Sequence, residues 1–427
     1  MIRRADGETV VFAAATTVGL VHGLDDAFIH RGAGVGAGQY ALAAALALVV
    51  WAAGIAAFPR LRPGLRSVLA LGVGGLAAAN GAVHLMHLRA DGVAGGDPTG
   101  LLALAAGLVL VGLAAAIPWR HRGEGAASAP RRWSARLLAP VAVLLGAFLV
   151  VGPVGMGLFG AHKGREAVGA PPDGTYAEVA FRASDGVRLA GWYRPSRNGA
   201  AVLVLHGGGS DRRGSVRHAR MLARHGYGVL LWDARGRGES AGAGNDYGWG
   251  WTKDVAGAMS FLHGRPDVDP RRIGALGLST GADVLIQAAA ERHDLAALVT
   301  DGAAAGSFED WHRLRGDDAG AIPGFFLFTT LRALTPAAPG PPLEDLMRRM
   351  RTPTLLVSAG RDDERAFNVL YDRAARPGTR VEHWNLPRAS HTRAIRQAPA
   401  AYEQRVVGFL GAHLRPGRAR APEVVPE

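Results

Sequence analysis

The stretch Ile273-Gly274-Ala275-Leu276-Gly277-Leu278-Ser279-Thr280-Gly281 decides the reading of this 427-residue chain. An apolar run leads straight into Gly-x-Ser-x-Gly, and a helix-forming segment, Ala282–Arg292, follows at once. A strand-to-helix turn this sharp strains the serine backbone, and glycines on either side prevent clashes with the neighbouring strand and helix. The hydroxyl then stands exposed above the sheet, beside a helix N-terminus whose dipole favours developing negative charge. With 60 Gly and 13 Ser in the chain, a chance match is not rare. Its weight comes from what surrounds it.

Short apolar runs recur at Ala201–Leu205, Gly228–Trp232, Ile273–Leu278, Leu295–Thr300 and Thr354–Ser358. Runs of this length fit strands buried on both faces. Helical segments separate them, at Val216–His225, Thr252–His263, Ala282–Arg292 and Pro399–His413. The alternation implies a doubly wound, mostly parallel α/β sheet with right-handed crossovers, its ligand site beyond the carboxyl ends of the strands. Ahead of it, Glu178–Arg182 and Val187–Arg194 flank a Ser184-Asp185-Gly186 turn and read as a hairpin.

A serine hydroxyl needs a base to take its proton, and the base needs an acid to orient it. After Thr354–Ser358 comes Ala359-Gly360-Arg361-Asp362-Asp363, which offers Asp362 and Asp363 as that acid. Asp301, at the end of the preceding strand, is a weaker rival. A further strand, Arg380–Asn385, is followed by Ala389-Ser390-His391-Thr392, which makes His391 the base. The oxyanion of a tetrahedral intermediate needs preset donors, each worth roughly 3–4 kcal/mol. The Thr280 N–H supplies one. The second falls in His206-Gly207-Gly208-Gly209, at Gly208 or else Gly207, with His206 fixing the loop.

Residues 175–415 thereby resemble the α/β-hydrolase superfamily of serine hydrolases. The motifs that carry this are His206–Gly209, Asp233-Ala234-Arg235-Gly236-Arg237-Gly238-Glu239-Ser240, the Gly277–Gly281 turn, Gly360–Asp363 and Ala389–Thr392. The Asp233–Ser240 segment is similar to the D-x-R-G-x-G-x-S stretch of esterase/lipase-like, dienelactone-hydrolase-like and serine-aminopeptidase-like members, where it shapes the pocket wall. The resemblance implies a triad in the chain order Ser279, Asp363, His391, because these enzymes usually place the acid three residues after Gly. It implies an oxyanion hole at Gly208 and Thr280, and neither cofactor nor metal. Arg361-Asp362-Asp363-Glu364 departs from the pattern in lacking the Pro often found downstream of the acid.

Some fifty residues, about 303–352, separate the strands Leu295–Thr300 and Thr354–Ser358, more than an ordinary crossover needs. They hold Trp311, Phe325, Phe326, Phe328 and Leu331. The insertion reads either as an apolar cap suited to an acyl substrate or as a segment buried on the sheet or touching a membrane surface.

Composition changes near residue 160. Before it, charges fall between long apolar runs or at their ends, the runs being Thr9–Phe28, Ala37–Phe58, Leu65–Leu88, Thr99–Pro118 and Leu137–Phe159. About 20 apolar residues cross a bilayer, so residues 1–160 read as an all-α transmembrane bundle of about five spans. Residues 161–176, with Pro171-Pro172-Asp173-Gly174, read as a linker, 177–415 as the hydrolase domain and 416–427 as a disordered tail. Arginines cluster before the first span, between the second and third (Arg60, Arg62, Arg66), and between the fourth and fifth (Arg120, Arg122, Arg131, Arg132, Arg136). The positive-inside rule makes those loops cytoplasmic and everything after the fifth span extracytoplasmic. His22, Asp25, Asp26 and His30, with Asn80, His84 and His87, then gather at the outer helix ends. Such residues at membrane depth bind metal or carry protons, or else simply reach the headgroups.

The formal charge of +12, nearly all Arg, is explained by this topology, so no nucleic-acid partner is expected. Absence of Cys excludes disulfides, a thiol nucleophile and thiolate metal sites. The expected activity is a membrane-anchored serine hydrolase that cleaves an ester, thioester or amide, a carboxylic ester foremost. Its partners are a small or lipid-like acyl substrate and the bilayer, with no obligate protein partner. The alternatives are acyl transfer on the same triad, or a transporter or sensor with a ligand-binding hydrolase-like domain.

Overall fold

A computed structural model of the protein describes residues 6–29, 38–91, 97–121, 145–162, 167–360 and 362–415. The chain divides into two compact units, Met1–Gly155 and Met156–Glu427. Arg3, Arg4, His30, Arg31, the arginines from 122 to 136, the first part of the fifth expected span (137–144) and the tail 416–427 lie outside the described residues.

The first unit contains helices α1 (Gly7–Phe28), α2 (Gly38–Ala57), α3 (Pro63–Asp91) and α4 (Asp97–Arg120). Among the described residues three stretches, Gly7–Asp25, Pro63–Ala82 and Pro98–Arg120, are long and apolar enough to cross a membrane. Ala47–Arg60 and Phe148–Leu158 are helical and apolar but shorter. The count of five is therefore three on this criterion.

Small residues let α3 and α4 meet backbone to backbone. A Cβ on Gly81 would sit 2.5 Å from the Gly100 carbonyl oxygen, and one on Gly107 2.4 Å from the Ala78 nitrogen. Close backbone approach through Gly and Ala is how helices pack where lipid removes the hydrophobic drive between them. Arg66, near the start of α3, pairs with Asp6 at 2.9 Å and Glu8 at 3.4 Å, and His121, just past α4, reaches Glu8 at 3.2 Å. The starts of α1 and α3 and the end of α4 thus share one end of the bundle.

The second unit is built on eight strands: β1 (Ala177–Arg182), β2 (Arg188–Arg194), β3 (Ala201–Leu205), β4 (Gly228–Trp232), β5 (Ile273–Leu278), β6 (Ala297–Asp301), β7 (Thr354–Ala359) and β8 (Val381–Leu386). Their order is β1-β2-β4-β3-β5-β6-β7-β8. β1 and β2 form the expected hairpin, Arg182 opposite Arg188, and β2 joins β4 antiparallel. The other pairings are parallel.

Alternation along each strand divides the apolar side chains between two cores. Leu203, Leu205, Leu230, Trp232, Ile273 and Ala275 face one, while Val202, Val204, Val229, Leu231, Leu276 and Leu278 face the other. Burial on both faces is why these strands read as continuous apolar runs.

The helices of this unit are α5 (Gly152–His162, which starts just before it), α6 (Val216–Arg224), α7 (Thr252–His263), α8 (Thr280–Arg292), α9 (Phe308–Arg315), α10 (Ala321–Leu334), α11 (Leu343–Arg349), α12 (Asp362–Ala374), α13 (Ala394–Gln397) and α14 (Pro399–His413). Residues 161 and 162, expected in the linker, end α5, and 163–166 lie outside the described residues. The long insertion is helical: α9, α10 and α11 fill the crossover from β6 to β7.

Candidate active site

Ser279 sits between β5 and α8 with φ 52° and ψ −124°, a left-handed backbone that a serine adopts at a cost. The surroundings enforce it. A Cβ on Gly277 would lie 2.4 Å from the Gly281 carbonyl oxygen, and one on Gly281 2.5 Å from that of His206. The Ser279 N–H donates to the Asp301 carbonyl at 2.8 Å, which ties the turn to the end of β6.

His391 comes from the loop after β8. Its Nε2 lies 2.9 Å from Ser279 Oγ, and its Nδ1 lies 2.7 Å from Glu364 Oε2. A carboxylate only accepts, so Nδ1 carries the proton, and Nε2 accepts from the serine hydroxyl. Glu364 is 7% exposed, and its other oxygen accepts the Ala359 N–H at 2.5 Å. Gly302, at φ 82°, makes room for the imidazole: a Cβ there would lie 2.8 Å from His391 Cε1.

The carboxylate that meets His391 differs from the expectation. Asp363 points away and pairs with Arg315 at 2.6 Å, its side chain about half exposed. The reason is helical phase. The chain enters α12 at Asp362, and successive helical side chains fan out by about 100°. Only one direction in that first turn returns toward the strand end, and residue 364 occupies it. Asp362 opens the helix, and its side chain is not among those described. Asp301 is not the partner of His391 either. It is 1% exposed, and its Oδ2 has no hydrogen-bond partner among the described residues. The run of three acids after Arg361 was the available signal, and a one-turn helical projection of it selects Glu364.

Burial pushes the Asp301 carboxyl up to about 7, with Glu364 adding to the shift and the Tyr402 hydroxyl and His391 opposing it. An acid whose folded pKa exceeds its unfolded one binds its proton more tightly when folded, so stability falls as pH rises from about 4 to about 7. Asp301→Asn removes this loss. Its unfolding free energy relative to wild type is expected to rise between pH 4.5 and pH 8, by a difference on the order of a few kcal/mol. A constant offset across that range contradicts the assignment.

Beside the serine lies the loop after β3. A Cβ on Gly207 would be 3.2 Å from Ser279 Cβ, and one on Gly208 would meet the Asp246 carbonyl oxygen at 1.8 Å. Thr280 Oγ1 donates to that same carbonyl at 2.6 Å. His206 holds the loop, as expected: Nδ1 lies 2.7 Å from the Gly207 carbonyl oxygen, and Nε2 accepts the Ala234 N–H at 3.1 Å. Asp233–Ser240 is a wall braced by ion pairs. Asp233 joins Arg212 at 2.5 Å, and Arg235 is held by Asp254 at 2.7 Å and Asp185 at 2.8 Å.

In the first unit, part of the polar cluster does assemble. Thr99 Oγ1 donates to Asp25 Oδ2 at 2.6 Å and lies 3.1 Å from His22 Nδ1, while the His84 ring meets His22 edge-on at 4.8 Å. The side chains of Asp26 and His87, with His30, are outside the described residues. No group of three or more His, Asp or Glu that could hold a metal ion occurs among the described residues.

The profile of the X-Pro dipeptidyl-peptidase (S15) family matches residues 174–402, more than half of the chain. An uncharacterized protein of Mycobacterium tuberculosis is 42% identical over 120 residues, which cover 27% of this chain and 41% of that protein. YfhR of Escherichia coli is 31% identical over 139 residues, 30% of this chain and 48% of YfhR. A thiohydrolase of Aspergillus aculeatus is 34% identical over 119 residues, 27% of this chain and 37% of the enzyme. The chain thus spans less than half the length of these curated relatives. Among solved structures, an esterase of Pyrococcus furiosus is similar with 25% identity and a TM-score of 0.48, over 59% of this chain and 97% of the esterase. On the family match, the chain belongs to the X-Pro dipeptidyl-peptidase (S15) family.

Proposed function

We propose that this protein is a membrane-anchored serine hydrolase that cleaves a carboxylic ester through a Ser279–His391–Glu364 triad. The observation that carries the reading is the unbroken hydrogen-bonded line from Ser279 Oγ through His391 to Glu364.

Ser279 Oγ attacks the substrate carbonyl carbon while its proton passes to His391 Nε2. Glu364 holds the imidazole by Nδ1–H and stabilises the imidazolium. The carbonyl oxygen, now negative, is held by the Thr280 N–H and by an N–H of the Gly207-Gly208 loop. Collapse expels the alkoxide, which takes the proton from His391, and an acyl-serine remains. Water, deprotonated by His391, then attacks the acyl carbon, and the acid leaves as His391 returns the proton to Ser279 Oγ. A second reading, cleavage of an amide, is favoured by the family's X-Pro dipeptidyl-peptidase description. A parallel assay of a 4-methylumbelliferyl ester and an X-Pro amide on the full chain separates the two. Ester turnover well above amide turnover supports the first, and the reverse order replaces it.

The oxyanion assignment has its own test. Gly208→Ala drives a methyl into the Asp246 carbonyl, so the loop must shift and carry its donor out of line. The kcat is expected to fall roughly 10²–10³-fold with KM changed far less. A near-normal kcat removes Gly208 from the hole.

Anchoring rests on the three long apolar helices and on the Gly-mediated contact of α3 with α4. Arg60, Arg62, Arg66 and Arg120 lie near the bundle end that carries Asp6 and Glu8, which by the positive-inside rule makes that end cytoplasmic. An extracytoplasmic hydrolase unit follows if the chain crosses once more after α4. Protease accessibility of the unit on intact cells tests this.

A further inference from the structure

Helix α10 is apolar on both of its sides, yet one side is exposed. Its sequence, Ala-Ile-Pro-Gly-Phe-Phe-Leu-Phe-Thr-Thr-Leu-Arg-Ala-Leu over 321–334, carries a single charge, Arg332. The inner side buries Gly324, Phe328 and Leu331, and Phe328 packs edge-on against Tyr247 with ring centres 5.0 Å apart. The outer side presents Ile322 and Phe325, about 60° apart round the helix, with Phe325 48% exposed. A helix apolar all round belongs in a core or in lipid. At 14 residues, it is too short to span a bilayer.

Its neighbour identifies the occupant. The apolar run Phe148–Leu158 leads into α5, and α5 touches α10 at Gly157, where a Cβ would be 2.8 Å from Thr330 Cβ and 3.0 Å from the Leu327 carbonyl oxygen. On α5, Met156 and Leu158 are exposed as well, at 61% and 46%. Exposed apolar side chains thus lie on both of these touching helices. Arg332, seven residues after Phe325 and so on the same helical side, suits a headgroup phosphate above buried aromatic rings. The same wall adjoins the reacting atoms. The Asp246 N–H donates to the Gly160 carbonyl at 3.0 Å, and the Asp246 carbonyl accepts from Thr280 Oγ1 and abuts Gly208.

We infer that the outer side of α10, with Met156 and Leu158, lies in the bilayer interface, and that the site takes its acyl substrate from the membrane as a long-chain amphiphilic ester. The inference rests on the hydrolase reading above and names its substrate class.

The test uses the full chain in phosphatidylcholine nanodiscs, with 4-methylumbelliferyl palmitate dissolved in the lipid and 4-methylumbelliferyl acetate in the water. The variant carrying Ile322→Asp and Phe325→Asp should hydrolyse the palmitate at least tenfold more slowly and the acetate within about twofold of wild type. Equal palmitate rates, or an equal fall for both esters, overturn the inference. Because the chain has no Cys, Phe325→Cys and Arg271→Cys, the latter at an exposed side chain just before β5, each accept one nitrobenzoxadiazole label. Doxyl-labelled lipid should quench the label at position 325 and spare that at 271. Failure to quench at 325 overturns the inference, as does emission there that depends on protein density instead of doxyl lipid, since a second copy then covers the face. If wild type cleaves neither ester, the hydrolase reading fails, and with it the claim about substrate, while quenching still decides the surface.

Discussion

Glu364→Gln is expected to lower kcat roughly 10⁴-fold while KM and the unfolding midpoint change little. The glutamine keeps the shape of the side chain but turns an acceptor-only group into one that also donates, so the imidazole is held in the wrong tautomer. His391 Nδ1 faces Glu364 Oε2 at 2.7 Å. Asp363→Asn is the matched control. It breaks a half-exposed pair with Arg315, worth at most about 1 kcal/mol, and should leave kcat within a few-fold. If the two variants exchange these phenotypes, the acid is Asp363 and the side-chain arrangement at the start of α12 is wrong.

Ser279→Ala is expected to lower kcat on the order of 10⁶-fold, because removal of the nucleophile costs about as much as removal of the whole triad. The fold should survive. The left-handed backbone at 279 is imposed by Gly277, Gly281 and the 2.8 Å bond to Asp301, none of which involves the hydroxyl. Adding Glu364→Gln to Ser279→Ala should cost almost nothing further, since groups acting as one unit are not additive. Additive losses would assign the two residues to separate steps.

The sheet was legible because its chemistry is local and repetitive. Ala201–Leu205 and Gly228–Trp232 appear as strands within a residue of where the apolar runs placed them, since central parallel strands bury both faces. The glycines of the turn could be interpreted for the same reason, each answering a backbone contact that any Cβ would violate. His206 as loop support also followed from its place at the end of β3.

The acid was not legible by counting from Gly360. Asp362, Asp363 and Glu364 differ only in helical phase, and phase depends on where α12 starts, a boundary that a single sequence fixes poorly. Glu364, with one more methylene than aspartate, reaches back to both Ala359 and His391 from within the helix. In the bundle, Thr99 escaped notice because a lone threonine at the start of an apolar run carries no signal until the fold sets it between Asp25 and His22.

The central claim is that one hydroxyl, activated by His391, forms the acyl-enzyme. Incubation of the full chain with a fluorophosphonate, followed by peptide mass spectrometry, reads this directly. A single adduct is predicted, on the peptide that contains Ser279, and it should form far more slowly in His391→Ala. An adduct on another residue, or labelling of Ser279→Ala at the wild-type rate, would contradict it.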